Sequence, residues 1–171
     1  MENRTCAIIT EPPMCFAWGL DEEDEVCSAL KLLVLNRISF LQTKGITEFA
    51  VSVDGGIGLY AAETVNYLRD TNDKLELTCY TTCDEQAVKW PPYLRDRYFA
   101  VLEKSSAAIT VSSRKTPTCE LDAMLEAIDE SGIVIAVCSG EDFQDKAFAA
   151  AVRYAERMGL EVTLLTPPKI Y

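Results

Sequence analysis

The sequence predicts a three-layer α/β sandwich, with a mostly parallel sheet of about six or seven strands covered by helices on both faces. Two observations predict it. Six short runs along the 171 residues are β-branched or almost continuously apolar, as strands buried on both faces must be. Between them lie longer stretches whose apolar residues recur at helical spacing, and strands that alternate with helices pair in parallel. A chain of this length fits one domain, taken as residues 1–171, and buries roughly 70% of the surface its unfolded form exposes.

The elements follow in order. Residues 6–9 form the first strand. The next helix starts near Asp21, where Asp21, Glu22, Glu23 and Asp24 suit the positive end of the helix dipole. Val26, Leu30, Leu33, Val34, Ile38 and Leu41 make its buried stripe, and Gly45 ends it. Residues 49–53 form the second strand, and the turn Asp54-Gly55-Gly56-Ile57-Gly58 leads into a second helix. After the third strand, 75–81, Pro91-Pro92 opens a shorter helix marked by Leu94, Tyr98, Val101 and Leu102. Residues 107–111 are the fourth strand, followed by a helix striped by Leu121, Met124, Leu125 and Ile128, with Gly132 just beyond. Residues 133–138 are the fifth strand. Phe143, Ala147, Ala150, Ala151, Tyr154 and Met158 mark the last helix, closed by Gly159 before the sixth strand at 160–165. The whole reads as a Rossmann-like sandwich.

Composition removes reaction classes. There is no histidine, which excludes Ser-His-Asp triads, Cys-His dyads and His-containing zinc sites. Sixteen basic against 27 acidic residues give a net charge of -11, which argues against nucleic acid as a partner. No apolar run approaches the roughly 20 residues of a membrane span, and residues 1–10 do not read as an export signal; the expected location is the cytoplasm. Of the seven cysteines, Cys6, Cys79 and Cys138 lie in apolar runs and act as small hydrophobes. Cys79 and Cys83 are the one close pair, and no metal site is expected.

Ligands of such sheets bind outside the carboxyl ends of the strands, where the strand order reverses. That directs attention to residues 10–19, 54–58 and 139–142, after the first, second and fifth strands. The candidates there are Thr10, Glu11 and Trp18; Asp54, Gly55, Gly56 and Gly58; and Ser139 and Gly140. The glycines have two readings. They bring backbone N–H groups close to a phosphate at a helix start, or they make a tight turn with positive φ at one or two positions. The turn lacks the Lys-Ser/Thr of a P-loop and follows the second strand, where a dinucleotide fingerprint would follow the first. The Asp54 carboxylate also competes with an anion at that helix start. Phe16 and Trp18 are placed either to stack on a base or to plug the core. Cys83 reads as a buried structural thiol, and Arg95 and Arg97 as surface or inter-helix pairing residues.

The order of segments resembles the YpsA-like branch of the SLOG superfamily, which also contains DprA and the LOG nucleotide-phosphate enzymes. Cys83-Asp84-Glu85-Gln86-Ala87, then Trp90-Pro91, then Arg95-Asp96-Arg97-Tyr98 is similar to the family's C-E-x-Q-A…W…R-E-R-Y. Leu59-Tyr60-Ala61-Ala62-Glu63 resembles its L-W-A-A-E. Asp129-Glu130-Ser131 with Ile135-Ala136-Val137 resembles D-x-S…I-A-V, and Val152-Arg153-Tyr154-Ala155 resembles V-x-Y-A. Phe16, Trp18 and Gly19 also fall on family positions. The resemblance runs nearly end to end and implies a Rossmann-like fold with a nucleotide-type ligand.

The departures fall on the ligand motifs. The family's F-T-G-H-R-P is represented by Ile8-Ile9-Thr10-Glu11-Pro12-Pro13. Its S-G-M-A-x-G-x-D becomes Val51-Ser52-Val53-Asp54-Gly55-Gly56-Ile57-Gly58, which keeps the inner glycine as Gly56. Its R-N pair is Ala123-Met124, and the G-G-T opening its last helix is Lys146-Ala147-Phe148. Groups suited to hold an anion are replaced by neutral, bulky or acidic ones, each such contact being worth about 1.5–3 kcal/mol. The expectation is a non-catalytic SLOG-like domain, a sensor or scaffold whose nucleotide pocket is degraded or repurposed. Its partners would be a nucleotide-like small molecule or a protein, with a homodimer also compatible. The alternative is a LOG-like hydrolase of a nucleotide or nucleoside phosphate using Glu63 or Glu11, with Asp54 nearby and Mg²⁺ supplying positive charge.

Overall fold

All six apolar runs become strands in the computed structural model, which describes residues 2–169. They are β1 (Thr5–Thr10), β2 (Glu48–Ser52), β3 (Glu76–Thr81), β4 (Ala107–Thr110), β5 (Ile133–Val137) and β6 (Glu161–Leu165). Within the described residues they form one sheet in the order β4-β3-β2-β1-β5-β6, and every neighbouring pair is parallel. The chain steps outward from β1 to β4, then returns to place β5 on the other side of β1. That reversal opens a crevice outside the carboxyl ends of β1 and β5.

The period-two alternation of the strands divides the core into two layers. Cys6 and Ile8, Phe49 and Val51, and Leu77 and Cys79 point to one side. There they meet α1 (Glu25–Thr43), α2 (Ile57–Arg69) and α3 (Pro92–Lys104). Ala7, Ile9, Ala50, Val134 and Ala136 point to the other side, toward α4 (Cys119–Asp129) and α5 (Lys146–Arg157). The alanines of this second set bring those two helices close to the sheet. Cys6, Cys79 and Cys138 are fully buried, and burial pushes the Cys6 and Cys79 thiols up to about 12.

Several boundaries differ from the sequence expectation. Helix α1 begins at Glu25, because Asp24 caps it by accepting from the Val26 and Cys27 N–H groups at 2.9 and 3.0 Å. Asp21, Glu22 and Glu23 therefore belong to the preceding turn. Gly45 and Gly159 follow their helices with φ of 93° and 75°, the left-handed conformation that ends a helix. Helix α5 starts after Phe143, and Met158 and Leu33 lie exposed, off the buried stripes assigned to them. Strand β4, expected to be covered on both faces, is exposed at all four residues. It is the sheet edge, and α4 packs over β1, β2 and β3 instead. No helix among the described residues is long and apolar enough to cross a membrane.

Candidate functional site

The alternation of β1 continues for one residue beyond its end, where the Glu11 N–H donates to the Val137 carbonyl at 3.0 Å. Thr10 therefore faces α2 and Glu11 faces α5. Each residue joins a carboxylate to a helix start.

At α5, the fully buried Glu11 side chain accepts four hydrogen bonds. The Ser139 N–H and Oγ donate to Oε1 at 2.8 and 2.9 Å, and the Gln144 and Asp145 N–H groups donate to Oε2 at 2.9 Å each. Burial alone would raise the Glu11 carboxyl, but these donors outweigh it and hold the group below its ordinary value. Asp145 caps the same helix by accepting from the Phe148 N–H at 2.9 Å.

At α2, Asp54 Oδ1 accepts from the Gly56 and Gly58 N–H groups at 2.8 and 3.1 Å, and Oδ2 accepts from Thr10 Oγ1 at 2.8 Å. Loss of water around the carboxyl pushes it up to about 6, with donors from Gly56, Thr10, Gly58 and Leu59 pulling the other way. Gly58 is required by close approach: a Cβ there would lie 2.6 Å from the Ser52 carbonyl oxygen and 3.0 Å from Asp54 Oδ1. A Cβ on Gly56 would lie 2.9 Å from the Pro13 ring, whereas one on Gly55 would meet Trp90 at an ordinary 3.7 Å. None of the three has positive φ, so the tight-turn reading is replaced by one of packing around a capping carboxylate.

Beside these two helix starts lies an open cleft of about 1190 Å³. Thr10, Ser52, Asp54 and Gly55 line it at the ends of β1 and β2. Pro12, Pro13, Met14 and Leu20 come from the β1–α1 loop, and Val88, Lys89, Trp90 and Pro91 from the β3–α3 loop. Ser113, Arg114, Lys115 and Met124 come from the β4–α4 loop and α4. The cleft thus spreads toward β3 and β4, beyond the three loops that the sequence singled out. One signal marks that wall: residues 104–119 hold three basic side chains and no carboxylate, in a chain with a net charge of -11.

The remaining candidates lie elsewhere. Ser139 is bound to Glu11, and neither it nor Gly140 lines the cleft. Trp18 stacks on Phe16, with ring centroids 5.0 Å apart, and packs against the core beneath α1, α2 and α3. Glu63 pairs with Arg97 Nη2 at 2.6 Å. Arg97 also bonds Glu22, which pairs with Lys31 at 2.6 Å. Arg97 and then Lys31 pull the Glu22 carboxyl down to about 2. This network ties the turn before α1 to α2 and α3. Among the described residues, no three His, Cys, Asp or Glu side chains converge as a metal cluster would.

The motif after β3 both lines the cleft and ties its floor together. Gln86 accepts from the Thr82 N–H at 2.8 Å and donates to the Val53 carbonyl at 2.7 Å, which clamps the ends of β2 and β3. Cys83 and Ala87 are buried, and Trp90 lies over Gly55 with Tyr98 against its edge. The model of the YspA SLOG family matches residues 18–168, a span that contains this motif. No curated protein matches the chain.

Proposed function

We propose a role for the cleft from one premise: the chain belongs to the YspA SLOG family. Its role is that of a non-catalytic binding domain whose pocket has been repurposed for a nucleotide-like small molecule, acting as a sensor or regulator. One observation carries this reading: the protein's own carboxylates, Glu11 and Asp54, fill the helix starts at the crevice while the cleft beside them stays open. A helix N-terminus favours an anion through its free N–H groups and its dipole. Here those groups already hold an internal anion, so a phosphate would have to displace a buried carboxylate. The pocket walls remain, while the protein's own carboxylates take the donors at those two points.

The same arrangement bears on catalysis. Glu63 is held by Arg97 and Glu11 by four donors, so neither is poised to move a proton. Asp54 favours a second reading. Its carboxyl, pushed up to about 6 at the cleft floor, is in the range of a general acid or base near neutral pH. A hydrolase reading would therefore rest on Asp54 rather than on Glu63 or Glu11.

A thermal-shift panel of AMP, ADP-ribose, NAD and cyclic dinucleotides, with and without Mg²⁺, tests the proposal. A ligand at 100 times its Kd stabilises by about 2.7 kcal/mol, which raises Tm by roughly 5–10 °C in a domain of this size. A shift without turnover is the expected result. Turnover that disappears in Asp54→Asn would establish the hydrolase reading. A panel with no shift would remove the small-molecule role and turn the search to a protein partner.

A further inference from the structure

We infer that the cleft binds the anionic group of its ligand at the β4 end, on Arg114 and Lys115, and not at the starts of α2 and α5. This rests on the ligand-binding reading above and assigns the orientation within it. The helix starts of α2 and α5 are closed to an anion by Asp54 and Glu11. The cations lining the cleft are Lys89, Arg114 and Lys115. None of them joins an ion pair among the described residues. Arg114 and Lys115 are adjacent and exposed, within a stretch, 104–119, that carries no carboxylate. In an acidic chain, two adjacent unpaired cations facing a cleft are where an approaching anion is attracted.

Five carboxylates also line the cleft. Asp54 and Asp145 are bound to backbone N–H groups. Asp84 and Glu85 stand together after β3, and Glu120 lies in the first turn of α4. The rim therefore carries both signs of charge. Between its charges two apolar lips face the opening, with Met14 85% and Leu20 40% exposed on one and Val88 58% exposed on the other. Unpaired apolar side chains gathered at a cavity mouth suit a flat apolar group. The ligand class is a planar ring with an anionic group toward Arg114 and Lys115 and amino or hydroxyl donors for the carboxylates of the rim.

AMP and adenosine, titrated calorimetrically into the full chain, test the orientation. Wild type is expected to bind AMP more tightly than adenosine. The double variant Arg114→Glu/Lys115→Glu is expected to lose about tenfold or more in AMP affinity, with adenosine little changed. Arg153→Glu/Arg157→Glu makes the same charge change on exposed α5 positions and is expected to leave AMP binding as in wild type. Should the charge reversal disturb the loop, Arg114→Gln/Lys115→Gln gives the same comparison. Bound AMP is also expected to slow tryptic cleavage after Arg114 and Lys115. AMP affinity that survives both loop variants would overturn the orientation and leave the binding role intact. If neither AMP nor adenosine binds wild type while another compound of the panel does, the same comparison is made with that compound. A panel in which nothing binds removes both.

Discussion

Glu11 and Asp54 show how similar side chains, each at a helix start, acquire opposite titration behaviour from their surroundings. Glu11 is held below its ordinary value by its four donors. Its contribution to stability is therefore fully present above the unfolded value of about 4.3 and is lost as pH falls through the folded value. Glu11→Gln presents one acceptor oxygen and an unwanted NH₂ to those donors. It is expected to destabilise the protein by about 2–3 kcal/mol at pH 7, and urea titrations should show the gap to wild type closing below about pH 4. Asp54 has the opposite sign. Folded protein keeps its proton up to about pH 6, whereas the unfolded chain releases it near 3.9. Between those values the folded state binds more protons, so stability falls as pH rises from about 4 to about 6. Asp54→Asn should remove that decline, because the side-chain oxygen still accepts from Gly56 and Gly58 and the NH₂ can donate to Thr10. A variant whose profile still falls over this window would show that another group titrates there.

At the scale of the element, the start of α2 is built around absent Cβ atoms, and two glycine substitutions separate the causes. Alanine favours a helix by about 1 kcal/mol over glycine, yet Gly58→Ala sets a Cβ 2.6 Å from the Ser52 carbonyl. It is expected to destabilise by about 1–3 kcal/mol, as overpacking does. Gly55→Ala, whose Cβ meets only Trp90 at 3.7 Å, should stay within about 0.5 kcal/mol. Equal losses in chemical denaturation would refute the close-approach account. The elements themselves were legible because strand and helix signals are local: the runs around Ile8, Val51 and Ile135 and the Leu30–Val34–Ile38 stripe needed no partner to be read. The exposure of β4 was not legible, since it follows from strand order. Glu11 was legible as a crevice residue, but its role was hidden. Its donor Ser139 lies 128 positions away, and only the β1–β5 pairing brings them together. Glu63 matched a family position, yet its partner Arg97 is 34 positions on, so spacing could not distinguish an ion pair from a catalytic acid. Arg114 and Lys115 were missed because the crevice rule points to the loops after β1, β2 and β5, whereas the cleft spreads toward β4.

For the molecule as a whole, salt acts on stability and on binding in opposite directions, on the first through the charge of -11 and on the second through Arg114 and Lys115. Like charges repel in the compact state, and dissolved salt screens them over a Debye length of about 10 Å at 0.1 M. Ligand-free protein is therefore expected to gain a few degrees in Tm as NaCl rises from about 0.02 to 0.5 M. An anion held on the exposed Arg114 and Lys115 is attracted through the same screened medium, so the increment in Tm that AMP produces should shrink over the same series. Removing those cations separates the two trends. Arg114→Glu/Lys115→Glu removes two positive charges and adds two negative ones, so without ligand its stability should fall below wild type at low salt and converge with it at high salt. Its response to AMP should already be small at the lowest salt. Buried contacts are screened far less than exposed ones, so an AMP response that ignored salt would place the anion in the enclosed crevice beside Glu11 and Asp54 instead of at the open β4 end. A ligand-free Tm that ignored salt would show that the acidic residues lie too far apart, or are too well compensated, for self-repulsion to matter.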